Sequence, residues 1–193
     1  MRAGILLFDD VEELDFVGPL EVFGMASRLA GGLEVITISK LGQRVRGRYG
    51  LRIQPDYSFS SCPPLDILIV PGGRGAREVA MYDEETLAFL RRHADHAPVA
   101  SICTGALILA EAGLLRGRKA TTHWSALDLL RHYPGVQVMG GVRFVRDNDV
   151  ATSAGVSAGI DLALDLVREW FGDNLRDEVI HQMEYSVRKT GAT

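Results

Sequence analysis

The sequence contains little cysteine: Cys62 and Cys103 are the only two among its 193 residues. Two cysteines cannot build the disulfide framework of a small secreted scaffold, and such sparse use is typical of a reducing compartment. We therefore expect a cytoplasmic protein. In such a protein, a cysteine at a structurally special position becomes a candidate for chemistry.

Long hydrophobic runs and clustered positive charge are also missing. The apolar stretch Arg2–Phe8 runs directly into Asp9 and Asp10, so it has neither the length of a membrane span nor the cleavage site of a signal peptide. Arginine is spread along the chain, and 21 Lys and Arg against 25 Asp and Glu give a net charge of −4. A nucleic-acid binder would show a basic patch. We expect a small-molecule substrate as partner, with neither nucleic acid nor membrane.

Short apolar runs alternate with segments of helical periodicity, which is the pattern of a parallel sheet covered by helices. Buried strands are predicted over Ala3–Phe8, Leu33–Ser39, Asp66–Val70 and Pro98–Ile102. Helices are predicted over Gly18–Leu29, Asp83–Ala94, Thr104–Leu115, His123–His132, Ser157–Trp170 and Asn174–Val187, and a hairpin joins Val142–Val145 to Val150–Thr152. There is no internal repeat or linker. Residues 1–193 are therefore predicted to form a single α/β domain, with helices on both faces of a mostly parallel sheet.

Cys103 lies where a predicted strand passes directly into a predicted helix. Ser101 and Gly105, two residues before and after it, are small enough for a sharp corner, as in the Gly-x-Ser-x-Gly elbow of hydrolases. A thiol beside a helix N-terminus is expected to have a lowered pKa and to act as a nucleophile. The alternative is a buried structural cysteine, the commonest state of this residue.

Two further features fall at the same edge of the predicted sheet. The strand that ends at Val70 is followed by Gly72 and Gly73, whose amides are candidates for an oxyanion hole, although a Gly-Gly pair alone is more often a plain turn. The segment after the first strand carries five carboxylates. Among them Asp15 has the most apolar neighbours, so we expect a raised pKa and a role in proton transfer. The other four are expected to be caps or solvated acids, and Glu21 is a lesser candidate.

Other residues are assigned to the pocket lining or to packing. His123 follows a short strand and is more simply a capping or packing histidine than a catalytic base. Ser153 and Gly155 lie between a strand and a helix, where the backbone either borders the site or packs closely. Cys62 lies in a proline turn and is assigned no chemistry. The five histidines are scattered and no ligand spacing for a metal occurs, so neither a metal nor an organic cofactor is expected.

The acidic segment with Asp15, the Gly72-Gly73 turn and the Cys103 elbow follow one another along the chain as they do in the ThiJ/PfpI superfamily (class I glutamine amidotransferase-like), which this sequence resembles. The flavodoxin-like, three-layer domain of that superfamily carries a cysteine on a nucleophile elbow. The segments that resemble its isonitrile hydratase branch are Leu14–Val22, Cys62–Asp66, Val70–Gly73, Cys103–Gly105 and Ala120–Trp124. The resemblance implies that Cys103, Thr104 and Asp15 hydrate an isonitrile to an N-substituted formamide through a thioimidate, and that the protein is a homodimer. Many superfamily members have His in place of Thr104, which weakens a protease, glyoxalase or deglycase interpretation.

Two other functions remain open. The Cys-Thr-Gly-Ala and Thr-Thr-His-Trp patterns also resemble the N-terminal domains of AraC-type transcription regulators, so a non-catalytic ligand-sensing domain is the main alternative. The chain ends at Thr193 without a basic recognition segment, which favours stand-alone action. An accessible cysteine of low pKa also suits a redox or stress-response protein of the same superfamily.

Overall fold

The fold is a seven-stranded, mostly parallel sheet between two layers of helices, described over residues 1–186 by a computed structural model. The strands are β1 (Arg2–Leu7), β2 (Glu34–Ser39), β3 (Val45–Arg46), β4 (Arg52–Ile53), β5 (Tyr57–Ser58), β6 (Ile67–Val70), β7 (Val99–Ile102), β8 (Lys119–Ala120), β9 (Gln137–Val138), β10 (Phe144–Asp147) and β11 (Val150–Ser153). The helices are α1 (Glu13–Ala30), α2 (Arg74–Glu78), α3 (Glu84–Ala94), α4 (Gly105–Glu111), α5 (Leu127–Arg131), α6 (Ala158–Phe171) and α7 (Asp173–Gln182), with 3-10 turns at Ala80–Tyr82 and Trp124–Ala126.

The order of the strands brings three of them to the middle of the sheet. From edge to edge the order is β10-β11-β7-β6-β1-β2-β5. All neighbours are parallel except the β10–β11 hairpin. The carboxyl ends of β1, β6 and β7 therefore meet at one edge, which is where sites in such sheets form.

The central strands are apolar throughout because both faces of the sheet are covered. In β1, Ile5 and Leu7 pack with Phe23 of α1 and Leu162 of α6, whereas Leu6 packs on the opposite face with α3 and α4. Successive side chains of a strand alternate between its faces, so two buried faces require a continuous hydrophobic run.

The four predicted strands are confirmed to within one residue at each end, and the hairpin is confirmed with its first strand two residues later. Asp83 is the N-cap of α3, as predicted, and accepts a hydrogen bond of 3.0 Å from the Thr86 amide. The first helix begins at Glu13 rather than Gly18, so Pro19 lies inside it and not in its first turn. This correction places Asp15 on a helix instead of a loop.

Three other helices are shorter than predicted. The helix after Cys103 ends at Glu111, two residues before Gly113, whose φ of 81° is left-handed. The segment predicted as His123–His132 begins with a 3-10 turn and becomes α-helical only at Leu127. The last helix ends at Gln182, and the predicted end, Val187, lies outside the described residues.

Within residues 1–186, no helix combines the length and the apolar character needed to cross a membrane.

The close contact between α4 and β6 can be tested at Gly105. A Cβ atom there would lie 2.1 Å from the carbonyl oxygen of Val70. We expect Gly105→Ala to lower the free energy of unfolding by about 1–3 kcal/mol, measured by urea denaturation, because the helix must shift away from the strand. Gly24→Ala is the matched control: apart from the chain neighbours and the backbone of its own helix, no atom lies within 4 Å of the added methyl group. It should raise stability by roughly 0.5–1 kcal/mol. Equal stability of Gly105→Ala and the unmodified protein would contradict the contact.

Candidate active site

Cys103 occupies a strained corner between β7 and α4. Its φ is +55°, in the left-handed region that residues other than glycine rarely adopt. Its amide donates to the carbonyl oxygens of Ser153 and Ala154, both at 3.2 Å, and its carbonyl oxygen accepts a 2.7 Å hydrogen bond from the Thr122 hydroxyl. Such a conformation persists only where its surroundings hold it. The predicted elbow is therefore present and is anchored through both of its backbone polar groups.

The need for a small residue at Gly105 has a different cause from the predicted one. The sequence analysis attributed the small size of Gly105 to the sharp corner at Cys103, but the atoms nearest to an added Cβ are the carbonyl oxygens of Val70 and Pro71, at 2.1 and 2.8 Å. The neighbouring strand β6, rather than the strand that leads into the elbow, leaves no room for a side chain.

Asp15 is a fully buried carboxyl group in the first turn of α1. Its Oδ2 accepts a 2.9 Å hydrogen bond from the Gly72 amide, whereas its Oδ1 is buried without a hydrogen-bond partner. Burial raises the pKa of Asp15 to about 7, and the nearby charge of Glu12 adds to the increase, against smaller lowering effects of the Gly72 amide and the Cys103 thiol. The predicted increase is confirmed, and desolvation is its main cause.

The predicted lowering of the Cys103 pKa is wrong. The residue is only 6% exposed. Burial and the Asp15 carboxylate together raise the pKa of its thiol to about 12. The amides of Thr104 and Val156 and the Thr104 hydroxyl donate to the sulfur and lower the pKa, but they do not compensate for the loss of water. Between pH values of about 7 and about 12, the two side chains hold one proton between them.

The amides of Gly72 and Gly73 donate hydrogen bonds to protein groups and do not form an open oxyanion hole. The Gly72 amide donates to Asp15, and the Gly73 amide donates to the Thr104 hydroxyl at 3.0 Å. A Cβ at Gly72 would lie 2.5 Å from the Thr104 amide nitrogen and 3.0 Å from Asp15 Oδ2. The predicted oxyanion role is therefore corrected: these glycines bring Asp15 and Thr104 to the elbow.

Thr104 is fully buried and connects the glycine turn to the sulfur. Its Oγ1 accepts from the Gly73 amide and lies 3.2 Å from the Gly73 carbonyl oxygen, while its amide and hydroxyl also donate to Cys103. A hydroxyl group has one proton, so it donates either to Gly73 or to the sulfur. The structure thus brings together Cys103, Asp15 and Thr104.

His123 caps the 3-10 turn that follows it. Its Nδ1 accepts a hydrogen bond of 3.3 Å from the Ser125 amide and lies 2.8 Å from the Ser125 hydroxyl. Its ring packs on the backbone of Gly155, where an added Cβ would lie 2.1 Å from the ring Cδ2. Burial lowers its pKa. The predicted capping and packing role fits this geometry, and the close approach of the ring explains the glycine.

Other predicted residues lie outside the cluster. Glu21 is exposed on α1, and Asp9 and Glu13 accept hydrogen bonds from backbone amides. Cys62 lines a separate cavity of about 400 Å³ beside α3, and burial raises the pKa of its thiol. Within residues 1–186, no set of three His, Cys, Asp or Glu side chains is placed to hold a metal ion.

Sequence reasoning missed Val156 and Thr122. Val156 has a φ of +49°, and its amide donates to the Cys103 sulfur. A β-branched residue does not indicate left-handed backbone, so the sequence had no signal for this donor. The Thr121-Thr122-His123-Trp124 motif was a signal for Thr122, whose hydroxyl binds the elbow.

Comparisons with known proteins find relatives that match most of the chain. A family model described as DJ-1/PfpI matches residues 1–169. Isonitrile hydratase of Pseudomonas putida is 40% identical over 187 residues, which are 96% of this chain and 79% of that protein. The HTH-type transcriptional regulator GbdR of Pseudomonas aeruginosa is 31% identical over 94% of this chain, but the match spans only 50% of the regulator.

A solved structure supports the same fold. The crystal structure of a ThiJ/PfpI family protein from Pseudomonas syringae superposes with a TM-score of 0.88 at 34% identity, covering 99% of this chain and 77% of that one.

The coupling between Asp15 and Cys103 can be measured in a Cys62→Ser background, where Cys103 is the only thiol. Asp15→Asn removes the facing negative charge, so the Cys103 pKa should fall from about 12. It should stay above the ordinary 9.0, because burial is the larger cause. The readout is the pH dependence of alkylation by iodoacetamide. Glu21→Gln, which neutralises an exposed carboxylate on the same helix, should leave the profile unchanged. An unchanged profile in Asp15→Asn would contradict the coupling.

Proposed function

Because the chain belongs to the DJ-1/PfpI family, we propose that it is an isonitrile hydratase-like lyase that converts an isonitrile to an N-substituted formamide. The observation that supports this proposal is the buried Asp15–Cys103 pair, which holds one proton above a pH of about 7. The 40% identity to isonitrile hydratase of Pseudomonas putida supports the choice of substrate class.

The first step requires a sulfur nucleophile and one mobile proton. The Cys103 sulfur bonds to the terminal carbon of the isonitrile R–NC, and the same carbon gains a proton to give the thioimidate Cys–S–CH=N–R. Asp15 takes the proton from the thiol and delivers it to the carbon. The pair must therefore start with one proton rather than two.

The second step adds water to the thioimidate carbon. Asp15, again a carboxylate, accepts a proton from the attacking water, the C–S bond breaks, and the proton returns to the products. The products are R–NH–CHO and the Cys103 thiol. One water molecule is consumed and no electrons are transferred, so the balance needs neither oxidant nor reductant.

The surrounding groups position the pair. The amides of Thr104 and Val156 donate to the sulfur and stabilise negative charge there as the thiol loses its proton. The Thr104 hydroxyl, held by Gly73, adds a third donor. Because Cys103 and Asp15 are buried, little water competes with these interactions.

A second candidate is a ligand-sensing domain. It is favoured by the match of 94% of this chain to about half the length of the GbdR regulator. A sensor would bind an isonitrile or another small metabolite and release it unchanged. Mass spectrometry of an incubation with cyclohexyl isocyanide distinguishes the two: the enzyme yields N-cyclohexylformamide, and the sensor yields none. A redox sensor is less well supported, because a thiol with a pKa of about 12 is protonated and oxidises slowly at neutral pH.

The homodimer and the cytoplasmic location stay part of the proposal. Light scattering coupled to gel filtration tests the first, and fractionation of cells tests the second.

Cys103→Ala should abolish formation of N-cyclohexylformamide from cyclohexyl isocyanide, because no sulfur remains to attack the carbon. Cys62→Ala is the matched control and should retain activity within about twofold, since Cys62 lies in a different cavity. Circular dichroism checks that both variants fold. Formation of N-cyclohexylformamide by folded Cys103→Ala would contradict the mechanism.

The pH dependence of kcat/KM shows how many protons Asp15 and Cys103 must hold between them for the reaction to start. Below the raised pKa of Asp15, both groups are protonated and no base is available; above it, one proton remains. We therefore expect kcat/KM to rise with pH until about 7 and then to level off. Asp15→Asn should have a much lower kcat/KM, and its kcat/KM should no longer rise with pH up to about 7. A rate that decreases as the pH rises through 7 would contradict the assignment of Asp15 as the base.

A further inference from the structure

The segment that carries the Val156 amide is held by one arginine from two directions. Arg143 precedes β10, and its carbonyl oxygen accepts a 2.8 Å hydrogen bond from the Ala154 amide. Its guanidinium donates to Ser157 Oγ at 3.3 and 3.4 Å. Val156 lies between these two contacts. Arg143 thus contacts the chain on both sides of the residue whose amide donates to Cys103.

A buried carboxylate fixes the arginine in turn. Arg143 Nε donates to Asp161 Oδ2 at 2.5 Å, and a second guanidinium nitrogen binds the same oxygen. The other carboxylate oxygen accepts a 2.9 Å hydrogen bond from the Tyr185 hydroxyl. The Asp161 side chain is 7% exposed, so its charge is compensated by these partners rather than by water.

Val156 needs such support because its backbone is strained. A β-branched residue with a φ of +49° is a genuine outlier, and strain of this kind persists only where the surrounding structure over-determines it. If these contacts are lost, we expect Val156 to relax to a negative φ and its peptide plane to turn away from the sulfur.

We propose that Arg143 and Asp161 are positioning residues that hold the Val156 amide against the Cys103 sulfur. The pair does not touch the reacting atoms; it acts through the strained segment between Ala154 and Ser157. The effect of the Arg143–Asp161 pair on catalysis rests on the proposed function. Its effect on the Cys103 thiol can be measured without any substrate. The charged group that acts on the sulfur is Asp15, which the clamp does not contact.

The test is the rate of alkylation of Cys103 by iodoacetamide in the Cys62→Ser background. Well below the thiol pKa, the rate is proportional to the thiolate fraction, so a rise of one pKa unit slows alkylation tenfold. Loss of a donor to the thiolate raises the pKa. We expect Asp161→Asn to alkylate about three- to tenfold more slowly at pH 8.5. Ser157→Ala, a milder change at an exposed position, should give a smaller decrease in the same direction.

The matched control lies one turn further along α6. Asp165→Asn removes the carboxylate that pairs with Arg146 and Arg168, without contact to residues 154–157, and should leave the alkylation rate unchanged. A merely structural role predicts the opposite result for Asp161→Asn. A loosened fold exposes the buried thiol, so alkylation would be as fast as in the parent protein or faster, and either outcome would overturn the proposal.

A rescue experiment tests the strain directly. Glycine adopts a positive φ without cost. Val156→Gly combined with Asp161→Asn should therefore recover most of the parental alkylation rate, and failure to recover it in a folded protein counts against the proposal. In the hydration assay, Asp161→Asn should lower kcat and leave KM nearly unchanged. If the parent protein forms no formamide, the proposed function fails, but the alkylation experiment still decides the role of the clamp.

Discussion

The contact between a buried carboxyl group and a buried thiol is the constraint on which the site depends. Neither Asp15 nor Cys103 ionises readily, because burial raises the pKa of both groups, and the Asp15 carboxylate further disfavours a negative charge on the Cys103 sulfur. The pair consequently holds one proton between pH values of about 7 and about 12. A single proton that moves between sulfur and carboxylate is what an addition to an isonitrile carbon and a later hydrolysis both require.

This arrangement costs stability. The ordinary Asp pKa of 3.8 is raised to about 7 in the folded protein, so between these pH values the unfolded chain releases a proton that the folded chain retains. Stability therefore falls as the pH rises through this window, by about 4 kcal/mol in total. The fold supplies the compensation through packing, since the central strands are buried on both faces. Glycines at positions 72 and 105 allow the backbone of the neighbouring loops to approach the elbow closely.

Much of this could be predicted from the sequence, where the signal was local. Continuous Val/Ile/Leu runs predict strands because burial on two faces leaves no polar position, and the elbow follows from a strand that meets a helix at Cys103. The Cys103 pKa was predicted in the wrong direction, since the helix N-terminus is visible in sequence but the depth of burial and the facing Asp15 are not. The Gly72 and Gly73 amides were assigned to a ligand because their protein partners come from distant segments. The Arg143–Asp161 clamp had no sequence signal, as it joins residues on different elements.

The family to which the chain belongs contains both enzymes and regulators, and the fold alone does not separate them. The proposed chemistry depends on the proton state of the buried pair. The most direct measurement is a titration of the Asp15 carboxyl carbon by NMR, in protein labelled with carbon-13 at aspartate and assigned by comparison with Asp15→Asn. We expect a titration midpoint near pH 7. A midpoint near the ordinary value of 3.8 would contradict the account, because it would show that burial beside Cys103 does not raise the pKa of Asp15.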